Sequence, residues 1–519
     1  MKIPLDRQAK KPIYRQIRDR IRHLITQGSL DPGTQLPSIR TLAQTVKVNK
    51  LTVLEAYSLL EADGLIQAKQ GAGYFINSPV TSTVTDENST HTRAISVSTN
   101  QTSTHSIPSP VPSDLAQRSF NPAQEVLIPT HGIDSFPKIY AASLHSHTRP
   151  DYIDFGIGFP QPSGVDDLQR IARRAMKEAA TFFHPGDPQG DLGLRTQIAR
   201  ILIQQGLEIS PENLLVTNGS MQSLSLLVDY YITPGDWVIV EAPTYHGFLS
   251  ILQQRGAQII GIPMTPTGMN LNLLEQYLHS HQPKLIYTMS TLHNPTGITT
   301  DSAHRKQLLA LAEAHDCLII EDNAYEPLSF EITPPPIKAF DTSDRVIYVG
   351  TFSKALMPGL RIGYMAIAGT DSQALIERKL LHDFHVSTAS QAIIKEYLAS
   401  GHYRRRLNKI RTLHRERRDA MVQALIRHFP PTITWTVPNG GTFLWIQLPN
   451  TLSLEAVCTA AIQRKVLVGS GAAFFPTKQG YPALRLNFSL PPKDTENGIQ
   501  ILGDILRQAL LSLSDSTTL

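Results

Sequence analysis

Residues 78 to about 119, beginning SPVTSTVTDENSTHTRAISVSTNQTST, are dominated by Ser, Thr, Asn and Pro and contain no aromatic residue. Such a stretch cannot bury enough apolar surface to offset the entropy of ordering it. It predicts a linker, taken as 78–125, that divides the chain into a short N-terminal piece (1–77) and a long C-terminal one (126–519). A flexible linker of about forty residues has a typical end-to-end distance of roughly 35 Å. With 519 residues and 41% hydrophobic content, the chain has material for two or three globular cores and is not a disordered protein.

The charge is partitioned in the same way. The formal net charge is +4, yet residues 1–77 hold twelve Lys/Arg against six Asp/Glu, a balance of +6 that leaves −2 for the rest. A basic head on a near-neutral body favours a nucleic-acid contact at one end. Cys317 and Cys458 are the two cysteines, and neither has a Cys or His at metal-ligand spacing, so reduced thiols, no metal site and a cytoplasmic location are expected. MKIPLDRQAKKP lacks an apolar leader core, and Asp229 interrupts the most apolar helical run, MQSLSLLVDYYI, so neither export nor a membrane span is indicated.

In the N-terminal piece, Ile13, Ile17, Ile21, Leu24 and Ile25 recur at helical spacing, and Gly28 supplies a stop. Ser38 is placed to cap a short second helix, KLTVLEAYSLLEADG makes a third ended by Gly64, and LIQAKQGAGYFI reads as two short strands around a glycine-rich tip. Three helices and a hairpin make a winged helix-turn-helix. In the body, apolar strand-like runs such as WVIVEAPTY, KLIYTMS, CLIIEDNAY and RVIYVGTFS alternate with helical ones. That alternation predicts a mainly parallel sheet covered on both faces, an α/β fold with ligands at the carboxyl ends of its strands. After about residue 395, basic helical segments leading into WTVPNGGTFLWIQL and ALRLNFSL suggest a smaller C-terminal α/β lobe.

Five motifs fall at strand ends. TNGSMQSL opens a helix, and its amide groups near Ser220 and Met221, with the Ser220 hydroxyl, make an anion seat. EAPTYHG places the Tyr245 ring, HNPTG the Asn294 amide, and EDNAY the Asp322 carboxylate and Tyr325 hydroxyl; GTFSKALMPGLR adds Thr351, Ser353, Lys354 and Arg361. A planar, phosphorylated pyridine aldehyde, pyridoxal 5′-phosphate (PLP), would use them all. Lys354 would hold it as a Schiff base, Asp322 would pair with the ring nitrogen, and Asn294 and Tyr325 would hold the ring hydroxyl. Tyr245 would cover a ring face, while Ser220, Ser353 and Arg361 would neutralise the phosphate. Taken singly, Asp322 could equally be a helix cap and Tyr245 core packing.

The order and spacing of these motifs over about 150–510 resemble the fold-type I aminotransferases. DFGIGFPQP and GDPQGDLGLRTQIA are similar to that family's substrate-loop and G-D-P-x-G segments, and Arg485 in ALRLNFS matches the arginine that takes a substrate's α-carboxylate. A structural ion pair is the other reading of Arg485. One position departs from the family: Pro185, preceded by His184, stands where relatives carry a tyrosine that reaches the phosphate of the neighbouring subunit. Residues 13–76 resemble the GntR-type winged helix, which implies DNA contacts from Arg40, Lys50 and Thr52, with Ser38 and Gly71 on phosphates or at the wing tip. Head, long linker and aminotransferase-like body together resemble the MocR subfamily of bacterial transcriptional regulators. That resemblance implies PLP as cofactor, a double-stranded DNA operator, an amino acid or amine effector and a head-to-tail homodimer. A working aminotransferase with a DNA-binding head is the alternative.

Overall fold

The structure is a computed structural model, and it describes residues 3, 5, 6, 11–26, 30–69, 73–77, 127, 151–160, 166–177, 184–367, 369, 371–477 and 480–516. It divides into two compact units, Met1–Leu115 and Ala116–Leu519. The linker expected over 78–125 lies outside the described residues.

The first unit holds α1 (Ile13–Thr26), α2 (Ile39–Val46), α3 (Lys50–Ala62) and the antiparallel pair β1 (Ile66–Lys69) and β2 (Gly73–Ile76). Ile17, Ile21, Leu42, Val53, Ala56, Tyr57, Leu60 and Ile66 form its core, each almost wholly buried. Burying an aliphatic side chain of this size contributes roughly 1.5–3 kcal/mol, so these apolar stripes are what hold three short helices together. Ser38 accepts from the Thr41 amide at 3.1 Å and Asn49 from the Leu51 amide at 2.9 Å, capping α2 and α3. The third helix turns out through Gly64, whose φ of +71° lies in the left-handed region.

In the second unit, β3 (Ile153–Asp154) is followed by α4 (Asp166–Lys177), α5 (Leu192–Gln204), β4 (Leu214–Thr217), α6 (Ser220–Tyr231), β5 (Trp237–Ala242) and α7 (His246–Arg255). The chain continues through β6 (Gln258–Thr265), β7 (Gly268–Met269), α8 (Leu271–His281), β8 (Leu285–Thr288), α9 (Ser302–Ala314), β9 (Leu318–Asp322), β10 (Val346–Thr351) and β11 (Gly363–Ala366). The large sheet runs β4-β11-β10-β9-β8-β5-β6-β7. From β10 to β6 every pairing is parallel, while β11 is antiparallel to both β10 and β4. Every residue of β4, β8 and β10 is buried, the pattern of a sheet covered on both faces. Ile239, Ile260, Ile286 and Ile319 from four strands meet Leu274 and Leu308 of α8 and α9 in one such layer.

The remaining elements are α10 (Asp371–Asp383), α11 (Thr388–Ala399), α12 (His402–His428), β12 (Thr434–Trp435), β13 (Phe443–Gln447), α13 (Leu454–Gln463), β14 (Val466–Leu467), β15 (Gly469–Ser470), β16 (Ala483–Asn487) and α14 (Pro492–Ser516). The antiparallel sheet β12-β13-β16-β15 forms the small lobe expected near the C-terminus, with α12 packed on α14. The expected boundary at about 395 omits one piece. β3, from the start of the described body, pairs in parallel with β14, so Ile153 and Asp154 belong to this lobe's fabric. A two-residue strand carries no periodicity by which to recognise it. Among the described residues no helix is long and apolar enough to cross a membrane.

Candidate cofactor-binding site

The carboxyl ends of β4, β5, β8, β9 and β10 converge on Lys354. This lysine lies in the turn after β10; its Nζ donates to the Gly158 carbonyl at 2.8 Å and sits 4.1 Å from the Phe159 ring centre and 5.4 Å from that of Tyr325. Burial, reinforced by the positive charges of Arg485 and Arg361 and opposed by Asp322, lowers its pKa to about 7. A lysine tuned in this way presents a free amine near neutrality, which is what nucleophilic attack on an aldehyde needs.

Asp322 closes β9. Its Oδ2 accepts from the Tyr287 hydroxyl at 2.9 Å and its Oδ1 from the Ala324 amide at 3.2 Å. Burial pushes its pKa up to about 6, the Tyr287 and Ala324 bonds and Lys354 pulling the other way. A buried carboxylate is in place for a ring nitrogen. Tyr325, three residues on, is buried with its hydroxyl pKa raised by burial, and its ring meets Phe443 edge-on at 5.6 Å. Tyr245, just before α7, donates its hydroxyl to the Met221 sulfur at 3.3 Å, which joins the ends of β4 and β5.

At the other end of the site, α6 begins at Ser220 behind Gly219, which has φ +79° and offers no side-chain cap. The Gln222 amide turns back onto the Gly219 carbonyl at 3.2 Å, and no side chain caps the Ser220 and Met221 amides ahead of it, at the end of the helix that favours an anion. Arg361, itself at φ +52°, reaches over the same turn: its Nη2 donates to the Asn218 carbonyl at 3.2 Å and its Nη1 to Ser353 Oγ at 3.4 Å. Thr351 Oγ1 accepts from the Ser353 amide at 3.1 Å and holds that turn. A Cβ on Gly219 would collide with the Arg361 guanidinium, and one on Gly363 with the Gly219–Ser220 backbone. Two glycines therefore permit the closeness of helix end and guanidinium.

Arg485, on β16, is buried between the rings of Phe443 and Phe474, 4.0 and 4.9 Å from its guanidinium carbon. Its Nη1 donates to Asn294 Oδ1 at 3.1 Å and its Nη2 to the Gly156 carbonyl at 3.0 Å. Its Nε finds no hydrogen-bond partner, and the Asp154 carboxylate favours its charge through space. Burial lowers its pKa to about 10, and it stays cationic. His246, beside Phe474, is held neutral by burial together with the charges of Arg485 and Lys354.

Lys354, Asp322, Asn294, Tyr325, Tyr245, Ser220, Met221, Thr351, Ser353 and Arg361 thus lie on one set of strand ends and turns of the large sheet, and Arg485 reaches Asn294 from the middle of β16. The residues suit a phosphorylated pyridine aldehyde on three counts: an uncapped helix end facing a guanidinium, a buried carboxylate, and a buried guanidinium with an orphaned Nε. Several contributors had no signal of their own. Gly158 and Phe159 were legible only as part of the DFGIGFPQP segment, and Asn487, whose side chain donates to the Ile157 and Phe159 carbonyls at 2.9 and 3.0 Å, looked like an ordinary strand end. Tyr287 sits in an apolar run where nothing distinguishes it from core.

In the first unit, Arg40 and Lys50 are exposed at the N-termini of α2 and α3. Ser38 is exposed, with its hydroxyl already accepting the Thr41 amide. Thr52 corrects an expectation: it is fully buried, because its place in the first turn of α3 faces the core that Val53 and Ala56 also enter, so its side chain is not on a DNA-facing surface. Gly71 lies outside the described residues. Pro185 and His184 are exposed.

Residues 150–502 match the family of class I and II aminotransferases, and residues 13–76 match the gntR family of bacterial regulatory proteins. The HTH-type transcriptional regulator YisV of Bacillus subtilis is 29% identical over 98% of this chain and 98% of its own. The probable rhizopine catabolism regulatory protein MocR of Rhizobium meliloti is 28% identical over 99% of this chain and 97% of its own. The crystal structure of LysN, the α-aminoadipate aminotransferase of Thermus thermophilus complexed with N-(5′-phosphopyridoxyl)-L-leucine, superposes with a TM-score of 0.67 at 30% identity, covering 72% of this chain and 97% of LysN. Fold and site define a bacterial regulator with a winged helix-turn-helix head on a fold-type I aminotransferase body. The chain belongs to the class I and II aminotransferase family, and with its GntR head it matches regulators of the MocR type along nearly its whole length.

Proposed function

We propose that this protein is a PLP-dependent transcriptional regulator that senses PLP, or an amino compound presented to it, and changes its hold on an operator accordingly. The observation that carries the reading is the union, in one chain, of a GntR head with exposed Arg40 and Lys50 and a body whose Lys354, Asp322 and Arg485 are all in place. Bound PLP would supply an aldehyde for an amine and an electron-withdrawing pyridinium.

The chain's own residues do the rest. Lys354 offers its free amine from the turn after β10, and Asp322 would hold a proton on the ring nitrogen. Asn294 and Tyr325 would hold the ring hydroxyl, and Tyr245 would cover the ring. The α6 amides with Ser220, Ser353 and Arg361 would hold the phosphate. Arg485, with one N–H unpaired, selects an effector bearing a carboxylate. The head contacts a double-stranded operator, with Arg40 and Lys50 at helix N-termini where phosphate oxygens are favoured. A linker over 78–125 lets the head of one protomer serve a head-to-tail homodimer in the cytoplasm. Ligand acts on DNA only in so far as it binds one arrangement of the two heads better than another.

The test is spectroscopic. PLP added to the purified chain is expected to give a visible absorbance band that Lys354→Ala abolishes, and amino acids are expected to perturb that band without sustained conversion of 2-oxo acids. Many turnovers per site, with DNA affinity indifferent to ligand, would instead assign an aminotransferase with a DNA-binding head.

A further inference from the structure

Behind the residues that would face the cofactor lies a buried group for which the reading above has no use. Tyr287, on β8, is fully buried, stacks on Phe248 of α7 with ring centres 3.9 Å apart at 17°, and donates its hydroxyl to Asp322 Oδ2 at 2.9 Å. The stack fixes the ring, and the ring fixes the direction of the O–H. Among the described residues Asp322 has one other donor, the Ala324 amide at 3.2 Å.

We propose that Tyr287 is the positioning residue that keeps Asp322 ionised, and so sets the pH below which the site loses its hold on a protonated ring nitrogen. The charges around the pair make a donor necessary. From β5, Glu241 is wholly buried and adds a second negative charge that raises the proton affinity of Asp322. Glu241 is occupied by Thr288 Oγ1 at 2.7 Å and the Met289 amide at 3.0 Å, and His293 Nε2 lies 3.1 Å away without forming a hydrogen bond. Lys354, from the turn after β10, favours the Asp322 anion while it carries its proton, which with a pKa of about 7 it still does where Asp322 titrates, so the Tyr287 bond acts beside that charge. Burial raises Asp322 to about 6 even with the Tyr287 bond present. Burial, Asp322, Tyr245 and Glu241 all push the Tyr287 hydroxyl well above its usual pKa, so it remains a donor throughout the accessible pH range.

This inference rests on the cofactor reading for its purpose, and its test does not need the cofactor. In the full chain without PLP, labelled with 13C-aspartate, the infrared carbonyl band of protonated Asp322 is identified by its loss in Asp322→Asn and followed against pH. Tyr287→Phe keeps the ring and its stack and removes the hydrogen bond. A hydrogen bond to a charged group is worth enough to move the midpoint upward by about one pH unit. Phe248→Leu disturbs the same packing and keeps the hydroxyl, and is expected to leave the midpoint in place. An unchanged midpoint in Tyr287→Phe, an equal shift in Phe248→Leu, or failure of Tyr287→Phe to fold would each overturn the proposal, the last by showing a purely structural role. If the midpoint moves as expected while PLP gives no Lys354-dependent band, the cofactor reading fails and the Tyr287–Asp322 coupling stands.

Discussion

Lys354 is a weak base for a lysine because burial, Arg485 and Arg361 all disfavour its protonated form, with Asp322 only partly compensating. Its amine is free above about pH 7, so covalent capture of PLP should strengthen as pH rises through that value and then level off, as an absorbance titration across the range would show. The same shift has a stability consequence. The unfolded lysine keeps its proton to its ordinary pKa while the folded one releases it earlier, so its contribution to cofactor-free stability rises with pH between about 7 and 10. Lys354→Met should flatten that portion of a pH series of thermal melts. Arg485 is the opposite case, a cation whose pKa of about 10 leaves it charged. Arg485→Ala should weaken carboxylate-bearing effectors at least tenfold, in line with the roughly 2–5 kcal/mol cost of truncating one side of a buried charged pair. Amines without a carboxylate should be less affected. Equal losses for both classes, measured by displacement of the cofactor absorbance, would remove Arg485 from effector selection.

At the scale of elements, the helix end at α6 carries the phosphate seat. Gly219→Ala places a methyl against Arg361 at φ +79° and ψ +166°, a region essentially reserved for glycine that costs another residue on the order of 1–3 kcal/mol. PLP affinity should fall by tenfold or more while the sheet, whose core strands bury their side chains away from this turn, melts within a few degrees of the unaltered chain. In the head, Ser38→Ala removes the α2 cap and should cost about 1 kcal/mol of head stability in denaturant titration. Much of this architecture was legible in advance. Apolar strand runs alternating with helices announced the sheet, and polar motifs at their ends announced the site, because at those ends a residue is polar for a chemical reason. What the sequence hid was of two kinds. Tyr287 and Thr52 point inward from elements whose composition does not reveal which face is buried. β3 and the Gly156–Phe159 segment act through partners far along the chain, Lys354, Val466 and Arg485 among them.

For the whole molecule, the linkage between DNA and ligand is what makes a regulator of a head and a body. Operator binding should weaken linearly with the logarithm of salt concentration, and Arg40→Ala or Lys50→Ala should each reduce that slope by about one if the residue meets a phosphate. A slope unchanged in both variants would move the DNA contact elsewhere on the head. The measurement that tests the account most directly is operator affinity at one fixed salt concentration, by fluorescence anisotropy with DNA from the protein's own upstream region. It compares the full chain without ligand, with PLP, and with PLP plus a panel of carboxylate-bearing amino compounds. The account predicts that at least one ligand state changes the Kd by about fivefold or more, the scale of ordinary allosteric coupling, and that Lys354→Ala abolishes the change. A single operator affinity in every ligand state, with the visible band of bound PLP present, would contradict it.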